Sequence, residues 1–282
     1  MSHKAFEKTL ALCVPALIVL LVFTAGCNGK STTTEVQPGT DQAAVDLLSS
    51  SAAKMAGVTS YQAESSTKVT TNVEIEEIMP SQATIEFEYT NGAWNKKLLS
   101  NSTMEAAQEA YIIGNRMYVK VADKWYYKDN DPITEAKRSM VDLSTPESIQ
   151  LAVENADEVG LVTESDFSAT CRLQLGATYY QAVGRELEKT ARDLGLTGSE
   201  QQIAELKASW KSMSMRVDIT IDKSTGLFSG MSISMRSGDI TSPEGQTMRM
   251  TAEVETKLGE YGKTFDIQLP EEAKSAEYMP AK

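Results

Sequence analysis

The sequence predicts an α+β fold: a single antiparallel sheet, long enough to curl, with helices packed over its concave face. Three observations predict it. Apolar residues recur with period two in many short runs separated by turn residues. These runs fall into blocks on either side of a helical middle, instead of alternating with helices one for one. Helix-period stripes are confined to a segment beginning at residue 41 and to that middle. A sheet of so many strands cannot stay flat.

Asp41 to Ala56 reads as a helix with Thr40 or Asp41 as N-cap. Ala44, Leu47, Leu48, Ala52 and Met55 form one apolar stripe, and Gly57 ends it. From Tyr61 to Ile75 the period becomes two, with Tyr61, Ala63, Val69, Val73 and Ile75 on one face. Ala83, Ile85, Phe87 and Tyr89 alternate with Thr84, Glu86 and Glu88, and Asn91-Gly92 supplies a turn. Trp94 to Leu99 makes a third strand. Tyr111 to Ile113 and Met117 to Val121 flank the tight turn Gly114-Asn115, and Trp125 to Tyr127 follows a turn at Asp123-Lys124.

The middle opens with a short helical segment from Asp131-Pro132 to about Val141. A second starts at Thr145-Pro146-Glu147, where Pro suits the first turn and Glu complements the helix dipole. Phe167, Ala169, Cys171, Leu173 and Leu175 alternate with polar residues and make a strand that puts Cys171 on the apolar side. Helices follow from about Ala177 and from Ser199, the latter with Gln202 as capping-box partner. The tail returns to period two. Met215 to Ile221, Leu227 to Met235 and Met248 to Leu258 are strands, the first two joined at Asp222-Lys223-Ser224-Thr225-Gly226, and Thr264 to Leu269 is extended up to Pro270.

Ahead of all this stands a different kind of segment. Lys4 and Lys8 precede an almost wholly apolar run from Thr9 to Phe23, which ends in Thr24-Ala25-Gly26-Cys27. A basic start, an apolar middle and small residues before a break describe a secretory signal over residues 1–26. Asn28 to Thr40 is small and polar with Gly and Pro, so residues 27–40 read as a flexible tether and 41–282 as the body. The small-small-Cys boundary resembles the bacterial lipobox, in which the Cys becomes the acylated N-terminus; Thr24 stands where that motif prefers Leu. The other reading keeps the apolar run as an uncleaved membrane anchor. Both put the body on the extracytoplasmic face, tied to the bilayer.

Composition narrows the chemistry. Taking away residues 1–26 removes Lys4, Lys8 and Glu7, which reduces 27 basic and 39 acidic side chains to 25 and 38. A body of that charge is repelled by nucleic-acid backbones. The single histidine, His3, and Cys13 fall within the signal, and Cys27 is the lipid acceptor, so Cys171 is left as the only free thiol. A chain without imidazole lacks Ser-His-Asp and Cys-His catalysis and histidine metal sites. No cofactor, metal site or catalytic group is expected.

The order of elements resembles the LolA/LppX-type (LprG-like) half-barrel of bacterial envelope lipoproteins and lipoprotein carriers. The likeness rests on the lipobox, the helix ending near Met55 followed by Tyr61-Gln62-Ala63, and the hairpin Asn115 to Lys120. It also rests on the run Val217 to Gly226 and on Ile267-Gln268-Leu269-Pro270. The resemblance implies a helix-covered apolar cavity for a lipid, lipopeptide or acylated partner, with no reaction catalysed. The methionines agree with it. Met213, Met215, Met231, Met235, Met248 and Met250 lie in three neighbouring strands, and flexible thioethers suit a surface that repacks around varied apolar ligands; ordinary core filling is the alternative. The cavity residues expected are Met215, Met231, Ile233, Met235, Met248 and Met250, with the aromatics Trp125 and Tyr127. A different class of function, an envelope scaffold or sensor docking a protein partner, predicts a filled core and an exposed apolar patch.

Overall fold

The computed structural model describes residues 39–71, 81–90, 93–100, 109–121, 123–129, 143, 146–196, 199–210, 212–237, 240–241 and 247–279. The signal with Cys27, residues 27–38 of the tether, the turn Asn91-Gly92 and the helical segment expected over 131–141 lie outside them.

The chain enters at an edge. Thr40 bridges Val159 in parallel, and Asp41 N donates to Val159 O at 2.9 Å. Asp41 then caps helix α1 (Gln42–Met55) by accepting from Ala43 N at 2.9 Å. The N-terminal meander follows as β1 (Ser60–Thr71), β2 (Ser81–Thr90), β3 (Ala93–Ser100), β4 (Glu109–Ile113), β5 (Arg116–Val121) and β6 (Lys124–Asp129). Asp123 turns the chain into β6 with φ +65°.

After α2 (Pro146–Asn155) come β7 (Glu158–Glu164), β8 (Ser168–Leu175), α3 (Ala177–Asp193) and α4 (Ser199–Trp210). Strand β7 is not in the sequence reading. Its alternation breaks at a register shift between Leu161 and Thr163, which leaves Val162 facing solvent. The C-terminal block is β9 (Ser214–Asp222), β10 (Phe228–Arg236), the short pair β11 (Ile240–Thr241) and β12 (Thr247–Met248), and β13 (Met250–Gly259). The segment 264–269, expected to be extended, pairs with no strand. It leads instead to a 3-10 turn, Glu271–Ser275, and to β14 (Glu277–Tyr278).

Twelve strands make one open, curved sheet in the order β14-β6-β5-β4-β3-β2-β1-β13-β10-β9-β8-β7. Every pairing in it is antiparallel except β14 with β6. The last long strand, β13, inserts beside the first, β1, so the two meanders join across ten paired residues, from Gln62 with Gly259 to Thr71 with Met250. This is the α+β architecture the alternating runs imply.

One face of the sheet meets the helices in a continuous core. Ala44, Val45, Leu48, Ala52 and Met55 of α1 pack with Cys171, Leu173 and Leu175 of β8 and Val217, Ile219 and Ile221 of β9. Tyr179, Val183 and Leu187 of α3 and Trp210 of α4 join them. The turn after β9 pins α1: Lys54 Nζ donates to Thr225 O at 3.1 Å, and Gly226, at φ +70°, packs against that lysine so closely that a Cβ would lie 2.1 Å from Nζ.

Candidate functional site

Register assigns every side chain to a face. Across β8, β9, β10, β13 and β1 the helix-facing side carries three rows. The first is Leu175, Met215, Met235, Ala252 and Val69; the second is Leu173, Val217, Ile233, Val254 and Thr67. The third is Cys171, Ile219, Met231, Thr256 and Ser65, and it continues to Ala83 and Ser100 on β2 and β3. Met215, Met231, Ile233 and Met235 are therefore brought together. Met215 and Met231 are buried, while Ile233 and Met235 are half-buried although they point inward. Met250 is half-buried on β13, with the parity of Ala252 and Val254. Met248 lies in β12, outside the large sheet, and its side chain is outside the described residues.

Trp125 and Tyr127 stand elsewhere. Tyr127 pairs with Tyr118, Tyr118 with Tyr111, Tyr111 with Lys97, and Lys97 with Glu86, all on the face opposite the methionines. Trp125 shares the parity of Tyr127. Trp125 belongs to a second apolar region, in which Tyr111, Trp125, Ile267 and Ala273 are buried and Ile113, Tyr118, Phe265 and Leu269 pack against them, and Tyr127 lies beside it against the rings of Tyr118 and Tyr278. The C-terminal segment thus crosses the outer face of β4 to β6. The Glu88 carboxylate accepts from Phe265 N at 3.4 Å and Ile267 N at 3.5 Å, and β14 pairs with β6 through Glu277 with Tyr126 and Tyr278 with Tyr127. The expectation that Trp125 and Tyr127 line the same cavity as the methionines is corrected here: parity places them beneath the tail.

The inner face also holds polar residues absent from the sequence reading. In β1 the inward positions between Ala63 and Val69 are Ser65 and Thr67, and β13 puts Thr256 beside them. Ser65 Oγ and Thr256 Oγ1 lie 3.1 Å apart as a buried hydroxyl pair. Thr67 is 4% exposed, and its Oγ1 has no hydrogen-bond partner among the described residues. Lys96, 2% exposed, lies in a separate row with Tyr61 and Phe87, its Nζ 5.5 Å from the Phe87 ring centre. The signal was present in the sequence as hydroxyls at inward positions of a strand, where aliphatic residues are the norm.

A groove of about 570 Å³ runs along β1, β2, β3 and β13. Its lining includes the small inward residues Ser65, Ala83 and Thr256 and the polar Glu64, Gln82 and Lys257 of the other parity. Cys171 is buried, with Sγ 3.9 Å from Ala44 O, and burial pushes its thiol from 9.0 up to about 11. Such a thiol is protonated at neutral pH and is no nucleophile. Glu253 and Glu255 lie on the solvent face. Among the described residues no three His, Cys, Asp or Glu side chains gather as metal ligands, and no helix is long and apolar enough to cross a membrane.

Residues 43–278 match the family described as "Family of unknown function (DUF6612)". Among solved structures the chain is similar to LprF from Mycobacterium bovis, with TM-score 0.45 and 10% identity over 82% of this chain and 98% of that one. It is similar to the Mycobacterium tuberculosis lipoprotein LppX, with TM-score 0.43 and 13% identity over 81% and 100%. It is also similar to a LolA-superfamily protein from Nitrosomonas europaea, with TM-score 0.29 and 9% identity over 80% and 94%. No curated protein matches the chain.

Proposed function

The chain belongs to the DUF6612 family, and on that footing we propose that it is a membrane-anchored, extracytoplasmic lipoprotein that holds an apolar ligand on the inner face of its sheet without chemical conversion. One observation carries the reading: Ile233, Met235 and Met250 face inward yet are only half-buried, beside the buried Met215 and Met231. A core that existed only for stability would close over such side chains. Burying apolar surface is worth about 25 cal/mol per Å². Unbranched thioethers left accessible on a rigid sheet form a surface that can repack around an acyl chain.

The anchor belongs to the same proposal. Signal cleavage before Cys27 and acylation of its thiol would tie the body to the bilayer through residues 27–40. Two acyl chains suffice for stable attachment, at about 0.8 kcal/mol per buried methylene. Palmitate labelling of the parent and of Cys27→Ser tests the anchor; a parent without label sinks it. Organic extraction and mass spectrometry of the gently purified full chain test the ligand. Stoichiometric lipid is expected, and protein that is repeatedly ligand-free after purification from its own membranes defeats the carrier reading.

The alternative, a protein-docking scaffold, draws on exposed apolar residues. Phe167 is 83% exposed at the β7–β8 turn and Tyr278 is 57% exposed in β14. These strands are opposite ends of the sheet, so the two residues form no shared patch. The inner-face reading is the better supported.

A further inference from the structure

We propose that the hydroxyl cluster Ser65, Thr67 and Thr256 is a specificity site that donates hydrogen bonds to an uncharged acyl carbonyl, ester or amide, of the bound ligand. This rests on the carrier reading above and sharpens it, by naming the part of the ligand that the seam between β1 and β13 recognises.

Four observations meet at this place. The cluster sits where the first and last long strands pair, Ser65 opposite Thr256 and Thr67 opposite Val254. On the inner face Ser65, Ala83 and Thr256 are small, where adjoining inward positions of β2 and β13 carry Ile85, Val254 and Leu258. Thr67 Oγ1 is buried with no hydrogen-bond partner among the described residues. An unsatisfied buried hydroxyl costs about 1–3 kcal/mol, so a Thr there, in place of the equally shaped Val, stabilises nothing in the empty protein. In the Ser65–Thr256 pair one hydroxyl donates to the other, and the acceptor keeps its own hydrogen. The site therefore offers two donors, separated by about 7 Å along β1 or less across the seam.

The partner those donors fit is a neutral acceptor. None of the three inner-face rows that carry the cluster and the methionines contains a charged side chain. A phosphate or carboxylate would be buried there without a counter-charge, at a cost of several kcal/mol. Among the described residues the sheet cations of this face are Lys96 on β3 and Lys124 and Lys128 on β6, all away from these rows. An acyl ester or amide brings two lone pairs and no charge, and its chain can run from the seam across β13 and β10 toward Ile233 and Met235.

The test pairs one lipid with its carbonyl-free counterpart. The full chain is incubated with 1,2-dioleoylglycerol or with the dialkyl-ether lipid of the same chains, and occupancy is read by native mass spectrometry. The parent is expected to prefer the ester by about five- to tenfold, as one or two neutral hydrogen bonds provide. Thr67→Val combined with Ser65→Ala should abolish the preference while binding the ether lipid at least as well. Thr67→Val alone should raise the melting temperature of the ligand-free chain, which also shows that the variant folds. Equal binding of both lipids by the parent overturns the hydroxyl site and leaves the carrier reading standing. Binding of neither overturns both, and a variant that keeps the ester preference overturns the assignment to these residues.

Discussion

The two ends of the sheet solve the problem of a wet face differently. At the β7 to β10 end, one face is buried by α1 to α4 and the other is solvated, with pairs such as Arg172 and Asp218 across it. At the β4 to β6 end the outer face is buried as well, beneath residues 265–276, so Tyr111 and Trp125 are covered on the side where the other end shows carboxylates. The lesson is that aromatic content does not report which face of a strand is the core. Only register does, and a slip of one residue would move every aromatic of β6 to the other side.

Breaking the helix-covered end should cost most. Phe228, fully buried in the main core, should lose about 3–5 kcal/mol of stability as Phe228→Ala in urea unfolding, with the whole sheet unfolding together. A loss confined to a few tenths would show that α1 and β10 are not one cooperative unit. Next comes Gly226→Ala. Its positive φ and the lysine against it should cost about 1–3 kcal/mol, partly restored by Lys54→Ala, which removes the side chain the new methyl would meet. Identical cost in both backgrounds would assign the effect to backbone strain alone.

The strap-covered end should fail locally. A chain ending at residue 264 removes the cover of Tyr111 and Trp125 and the β14 pairing. Amide exchange should quicken in β4 to β6 and stay slow in β8 and β9. Uniform acceleration would contradict the division into two ends. Smallest is the Arg172–Asp218 pair, with N···O distances of 2.6 and 2.7 Å but partly solvated side chains. A double-mutant cycle should return about 0.5–1 kcal/mol after solvent screening.

Burial raises the Cys171 thiol from 9.0 to about 11. The folded state therefore holds its proton more tightly than the unfolded one, and that contribution is complete below pH 9 and lost as pH climbs through 11. The fall in stability between those values should be shallower in Cys171→Ala.

Much of this could be read from the residues. Periodicity located α1, β8, β9 and β13 because each repeats without interruption, and β10 in spite of the bulge between Phe228 and Gly230; Asp41 announced the start of α1 through its side-chain chemistry. Strand β7 escaped because its register shifts at Leu161 and its apolar residues change sides. The strap escaped because Phe265, Ile267 and Leu269 look like a strand yet serve as a cover, a role set by residues far away in sequence. In the candidate site the methionines on β9 and β10 were legible, since parity within a strand is local. Trp125 and Tyr127 were misplaced because their face depends on five successive pairings back to β1. Ser65 and Thr67 were passed over because a scan for apolar alternation skips the hydroxyls within it.

The carrier proposal puts the ligand on the methionine face and not on the aromatic one. A photo-crosslinking amino acid placed at position 235 or at position 127 of the full chain, irradiated in the native envelope, tests it directly. A lipid adduct is expected from position 235 and none from position 127. Adducts from 127 with none from 235 would contradict it.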